Sequence, residues 1–377
     1  MLILKRADFG VGIADEGIVR VSSLSDWGSC PIAINRRSIY NPSLELTKSP
    51  TAIIGSIVHA VLERGEDTGR IELFNSLIEE IELELSLSSR TSHLVPLRKT
   101  IGESKWRTTI SRLESFGVAS LPSKRRGKFV GKSNRRLRIG REIFLESSDK
   151  SVGGIADQIS AFDNGVIIDE YKTGDIFARD GRTKSSFEFQ LIAYGLLAEE
   201  YDFYGKIRLR LSNGESTVDV NFTDSSKKVV SEKINRAKDV VSRGDKTPIP
   251  GVDCKYCPMR LVCGDYYEAV MGWWNHAPDF DIPSDIIGEI QSVSHEANFT
   301  KIKLLDLAGR PCVVRGISAR HKISSNDVGK KIAIFNISSK SQQVGEGGRR
   351  LHPLSFFENS TSQRSSFYSV TDIFELQ

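Results

Sequence analysis

The chain has 377 residues, 39% of them hydrophobic and 27% charged, with 52 Lys and Arg against 48 Asp and Glu and a formal charge of +4. So small a net charge says little about partners, and no stretch is long and apolar enough to span a membrane. No signal peptide opens the chain, so a cytoplasmic protein with reduced thiols is expected.

In chain order, residues 1 to 20 read as a lead-in bearing a short strand. Ser23-Leu24-Ser25-Asp26 resembles a capping box opening a helix, which Pro31 kinks or restarts just after Cys30. In GSIVHAVLERG, residues 55 to 65, Ile57, Val58, Val61 and Leu62 follow a helical apolar pattern, and His59 among them offers a neutral imidazole to a metal. Residues 71 to 92 read as an amphipathic helix, and 94 to 118 as helical. Next comes a basic run with no acidic residue: Lys124, Arg125, Arg126, Lys128, Lys132, Arg135, Arg136, Arg138 and Arg141. Phosphate backbones attract such a run, and Phe129 within it can stack on a base.

Residues 137 to 147 read as a strand leading into GGIADQISAFDNGVIIDEYKTG, residues 153 to 174. That stretch is a β-hairpin: two runs rich in β-branched and aromatic residues, separated by Asp163-Asn164-Gly165. Side chains alternate along a strand, so Glu170 and Lys172 share one face. A type I′ loop at Asn164-Gly165 sets 163 opposite 166, 159 opposite 170 and 157 opposite 172, which brings Asp157 to that face. An odd-length loop would move it to the other, so the chemistry favours an even one. Two carboxylates and an ammonium suit phosphodiester hydrolysis. Hard oxygen ligands hold Mg²⁺ or Mn²⁺, and the lysine orients water or offsets developing charge.

Residues 185 to 201 read as a helix whose Gln190 and Tyr194, four apart, share a face and can hold DNA or the lysine. Residues 206 to 222 alternate as strands, and 225 to 243 form a further helix. This order of elements fits a mixed sheet flanked by helices. Five cysteines follow no secretory pattern. Cys254, Cys257 and Cys263 are spaced C-x2-C-x5-C and suggest a metal site, with Cys30 as the best fourth thiolate and Cys312 standing apart. Four thiolates suit a [4Fe–4S] cluster or zinc, and spacing does not separate the two. After Trp273-Trp274 a linker at 275–285 precedes short strands, IIGEIQSVS, TKIKLLDL, CVVRGI and KKIAIFNI, which suggest a small C-terminal all-β, OB-like barrel over 286–377. FYSVTDIFEL adds a last strand or helix.

Taken in order, Leu24…Cys30-Pro31, Gly55…His59, Gly154…Asp157, Glu170-Tyr171-Lys172-Thr173, Gln190…Tyr194 and the three later cysteines resemble the RecB-like branch of the PD-(D/E)XK nucleases, over about residues 20 to 268. They resemble most its iron–sulfur members, the AddB-type nuclease domains and the CRISPR-associated exonucleases. The resemblance implies a restriction-endonuclease-like α/β fold over residues 1–274. It implies His59, Asp157 and Glu170 on Mg²⁺ or Mn²⁺, and Lys172 as a catalytic residue with Gln190 and Tyr194 in support. It implies a structural [4Fe–4S] cluster, rather than zinc, on Cys30, Cys254, Cys257 and Cys263. Lys124, Arg125, Arg126, Lys128, Arg135 and Arg136 are expected to guide DNA. The expected activity is an exonuclease on single-stranded DNA ends, working beside a helicase or in antiviral defence. The alternatives are a DNA-end-binding assembly subunit with little cleavage and a zinc-stabilised nucleic-acid-binding protein.

Overall fold

The computed structural model describes residues 18–26, 30–34, 46–64, 69–88, 91–116, 129–130, 135–178, 180–201, 205–251, 254, 257, 259–260, 263–269, 284–296, 299–307, 309, 311–318, 321–337, 357–360 and 372–375. Two compact units divide the chain. One takes 1–42, 54–79 and 102–249, and the other 43–53, 80–101 and 250–377. In this division the cysteine segment groups with the C-terminal strands.

The first unit is built on a mixed six-stranded sheet. Its strands are β1 (Val19–Arg20), β4 (Gly140–Glu146), β5 (Val152–Phe162), β6 (Gly165–Tyr171), β7 (Lys206–Ser212) and β8 (Thr217–Val220), with the short pair β2 (Phe129–Val130) and β3 (Leu137–Arg138) outside it. The order is β1-β5-β6-β7-β8, with β4 also paired to β5; β1/β5 and β6/β7 run parallel. The hairpin turns on two residues, as expected, but one position earlier. Phe162 pairs with Gly165, so Asp163 and Asn164 form the turn. The register therefore moves by two, which preserves the face of every side chain. Gly165 is a strand residue, not a turn residue; a Cβ there would stand 2.0 Å from the Lys206 carbonyl oxygen. Close approach of β7 requires the glycine.

Helices precede, interrupt and follow this sheet in the chain. Those of the chain up to the sheet are α1 (Val21–Asp26), α2 (Pro31–Ile34), α3 (Pro50–Arg64), α4 (Arg70–Leu87), α5 (Leu97–Ile101) and α6 (Glu103–Ser115). Ser23 lies inside α1 rather than capping it, because the helix begins directly from β1 at Val21. The chain does restart as helix at Pro31. α7 (Ser185–Glu199) is apolar nearly all round and lies buried, with Leu191, Ile192, Ala193, Tyr194, Leu197 and Ala198 in one core with Ile159, Val166, Ile168 and Leu209. Each large apolar side chain so buried contributes about 1.5–3 kcal/mol. α8 (Asp224–Ser242) opens with a reciprocal cap between Thr223 and Ser226 and buries Val230, Ile234 and Ala237 along one stripe.

In the second unit, β9 (Ser284–Glu296), β10 (Phe299–Asp306), β11 (Pro311–Ser318), β12 (Lys331–Ile337), β13 (Phe357–Ser360) and β14 (Asp372–Glu375) form a sheet in the order β13-β11-β10-β9-β12-β14. Its pairs are antiparallel except β11/β13. Among the described residues this order is linear, with no pairing that joins β13 to β14. Ser284 and Asp285 begin β9 instead of ending a linker; 275–283 lie outside the described residues. Cys263 and Tyr266 pack with Leu46, Ile287, Ala333 and Phe335, and a buried Arg260–Asp285 ion pair at 2.6 Å ties the cysteine segment to β9. Cys312 is buried in the separate core of this sheet, apart from the other cysteines' chemistry.

Candidate active site

Asp157 on β5, Glu170 at the end of β6 and Lys172 just beyond it converge with Gln190 and Tyr194 of α7 and His59 of α3. The β5/β6 register, extended one step beyond Gln158–Asp169, sets Asp157 opposite Glu170. Asp157 Oδ2 accepts the Tyr171 N–H at 2.6 Å, and His59 Nδ1 stands 3.4 Å from Asp157 Oδ1. Lys172 Nζ donates to Glu170 Oε1 at 2.7 Å and to Gln190 Oε1 at 2.9 Å. The Gln190 amide in turn donates to Glu170 Oε1 at 2.8 Å and to the Tyr194 hydroxyl at 3.0 Å. The i, i+4 pair on α7 thus meets its sequence expectation of one shared face, and it orients both the lysine and the carboxylate.

Burial of so many charges sets their protonation. Burial pushes Glu170 up to about 7, and the neighbouring Asp157 carboxylate adds to this against the pull of Lys172 and His59. Burial also raises Asp157, but His59, Lys172 and the Tyr171 N–H outweigh it and hold this carboxyl below its usual range. Burial lowers His59, and the Asp157 carboxylate outweighs that and raises it. On the other face of the hairpin the buried Asp169 pairs with Arg210, and the Tyr171 hydroxyl donates to Gln158 Oε1 at 3.0 Å.

Glu142 was not foreseen from the sequence. The β4/β5 pairing, 141 with 158 and 143 with 156, sets Glu142 opposite Asp157, and its backbone takes the left-handed φ of 49°. One ligand atom from each of His59, Glu142 and Asp157 lies within 4.8 Å of the others, the single such group of metal-binding side chains among the described residues. The β4 strand was legible in sequence; its pairing to β5 was not.

The donor set fits a divalent cation. Carboxylate oxygens and an imidazole are ordinary ligands for such ions, and Glu170 Oε2 is a buried oxygen without a hydrogen-bond partner. Arg112 of α6, a residue the sequence did not mark, donates to the Thr173 carbonyl at 2.8 Å and to Asp175 and Glu215 at 2.9 and 3.0 Å, holding the loop that follows Lys172.

The cysteines are placed in two groups. Cys30 Sγ accepts the Ile249 N–H at 3.4 Å in the first unit. In the second, Cys254 Sγ accepts the Gly251 N–H at 3.2 Å, Cys257 is half-buried and Cys263 is buried. Of the basic run, Lys124, Arg125, Arg126, Lys128 and Lys132 lie outside the described residues. Arg136 is exposed, whereas Arg135 donates to the Glu146 carbonyl and lies over the Tyr201 ring at 4.8 Å. No helix among the described residues is long and apolar enough to cross a membrane.

No curated protein matches the chain. A solved structure, the crystal structure of SSO0001, is similar at 16% identity and a TM-score of 0.29, covering 70% of this chain and 94% of that one. The family profile described as PD-(D/E)XK nuclease superfamily matches residues 20–264, from β1 through the hairpin and α7 to the cysteine segment. That match spans every element of the site, and the chain belongs to the PD-(D/E)XK nuclease superfamily.

Proposed function

We propose that the chain is a Mg²⁺- or Mn²⁺-dependent deoxyribonuclease of the RecB-like branch, acting as an exonuclease on single-stranded DNA ends. One observation carries this reading: the Asp157, Glu170 and Lys172 groups share a buried site in which Gln190 and Tyr194 fix their orientation. Asp157 and Glu170, with His59, would hold the cation, which supplies an acidified water and neutralises charge on the phosphate. Lys172 presents its ammonium, positioned by Glu170 and Gln190, to the oxygens on which charge grows. His59 Nδ1 stands 3.4 Å from Asp157 Oδ1, which places a neutral imidazole where it could share the cation with that carboxylate. The basic segment, Lys124 to Arg136, would draw in the phosphate backbone, with a helicase or a defence-system protein as the associated partner.

Cys30, Cys254, Cys257 and Cys263 would ligate a structural [4Fe–4S] cluster. Backbone N–H groups face the sulfurs of Cys30 and Cys254, an arrangement that suits cluster ligands. Closing a loop from the start of the domain to its end would stabilise the fold by on the order of a few kcal/mol.

The test is cleavage of end-labelled single- and double-stranded DNA with Mn²⁺ and with Mg²⁺. Processive shortening of the single strand is expected, with loss of activity in Lys172→Ala and in Asp157→Ala. Cleavage that survives both substitutions would sink the site assignment, and cutting of closed circles would sink the exonuclease reading.

A further inference from the structure

Tyr171 stands between Glu170 and Lys172 in sequence, so strand alternation turns its side chain to the other face of the sheet. There the buried hydroxyl donates to Gln158 Oε1 at 3.0 Å, and the ring meets Phe116 edge-on at 5.3 Å. Burial holds this hydroxyl well above its ordinary pKa, so it stays a donor. Gln158 is 0% exposed and lies in a cross-strand row with Arg141 on one side and the ion-paired Asp169 and Arg210 on the other. The Tyr171 N–H goes to the opposite face, to Asp157 Oδ2 at 2.6 Å. The β5/β6 pairing ends at Gln158 and Asp169, so the Asp157 carboxylate takes a donor that a strand carbonyl would otherwise accept. The next amide, that of Lys172, donates to the Ser212 carbonyl of β7 at 2.8 Å.

We propose that Gln158 and Tyr171 are positioning residues for Asp157, acting through the sheet from the face away from the site. The Gln158 amide oxygen holds the Tyr171 hydroxyl, the anchored ring fixes the peptide that joins Glu170 to Tyr171, and the N–H of that peptide aims the Asp157 carboxylate. A hydrogen bond to an ionised acceptor is short and directional, so a small rotation of the peptide moves the carboxylate with it. Oδ2 is engaged in this bond, and Oδ1 is the oxygen that faces His59, at 3.4 Å. The same peptide carries Glu170 on one side and leads to Lys172 on the other, so a single anchor sets the spacing of all three groups. Partners that orient a metal ligand without touching the metal are worth about 10–100-fold in metal affinity.

The inference rests on the nuclease reading of this site, and its test reads metal binding apart from cleavage. Mn²⁺ is titrated calorimetrically into the full chain as wild type, Tyr171→Phe, Gln158→Leu and the double variant. Each is also melted in urea and assayed for kcat and KM on a labelled single strand. The double variant replaces both members of a buried polar pair by apolar groups of similar shape, a change close to neutral for folding. Gln158→Leu alone is expected to melt early and the double variant to regain the wild-type melt. Mn²⁺ affinity and kcat stay about 10-fold down in both, with KM for DNA unchanged. A merely structural pair would behave otherwise: affinity and kcat would return with the melt, and that result overturns the proposal. Wild-type Mn²⁺ affinity in all three variants overturns it as well. For a variant that melts early, affinity is read well below its melt, so that lost folding is not counted as lost binding. Weakened Mn²⁺ binding in the variants of a protein that cleaves no DNA would leave the positioning role standing and remove the nuclease reading.

Discussion

Gly154→Ala tests whether the α7 side chains set the active site from behind. Gly154 lies buried on β5 three residues before Asp157. An added Cβ would meet Tyr194 Cε1 at 2.7 Å, Val21 Cβ at 3.1 Å and the Tyr194 hydroxyl at 3.4 Å. The backbone there is not left-handed, so alanine meets no dihedral strain, and its lower unfolded-state entropy contributes about 0.4–1 kcal/mol in its favour. Sterics work against it. Ordinary contact begins near 3.4 Å, so the buried ring must retreat by about 0.7 Å, and overpacking of this kind costs about 1–3 kcal/mol. The net expectation is a loss of about 1–2 kcal/mol, or roughly 2–8 °C in melting temperature for a unit of this size. The retreat carries the Tyr194 hydroxyl away from Gln190, which orients Lys172 and Glu170. Misplacement approaching 1 Å costs up to about 100-fold in rate. The assay is kcat and KM on a labelled single strand with Mn²⁺, beside a thermal melt; kcat should fall at least tenfold with KM little changed. Wild-type kcat together with a wild-type melt would refute the reasoning, because it would mean that the ring is free to move without consequence.

Arg112→Lys keeps a charge but loses the planar fork that spans Thr173, Asp175 and Glu215. Since both carboxylates are largely exposed, the loss is chiefly the buried carbonyl bond, about 1–2 kcal/mol in a denaturant melt, with kcat lowered about tenfold and DNA binding retained. Arg260→Met strands the fully buried Asp285 carboxylate with the Tyr266 hydroxyl and should cost about 3–5 kcal/mol, whereas Arg260→Met with Asp285→Leu should recover most of that in the same urea titration. Cys257→Ser, purified without oxygen, should lose a brown chromophore present in the wild type and melt several degrees earlier; a colourless wild type containing zinc would remove the iron–sulfur assignment.

Sequence by itself determined which side chains share a face. Alternation along a strand and the four-residue repeat of a helix follow from covalent geometry, so Asp157, Glu170 and Lys172 survived a register error of two, and Gln190 stayed with Tyr194. The turn signal marks a loop of even length, but the loop sits one residue earlier than Asn164-Gly165. Asn164-Gly165 is a common turn pair, while here Gly165 answers to the approach of β7. The strands after 284 were legible by their apolar alternation, but not their linear order or their union with the cysteine segment. Tertiary structure alone decided Glu142 and Arg112. Glu142 joins Asp157 through the β4/β5 register, and Arg112 reaches Thr173 across 61 residues of sequence. No local periodicity encodes such pairings: they come from packing between distant segments, where burial and hydrogen-bond satisfaction choose one register among several that local sequence permits.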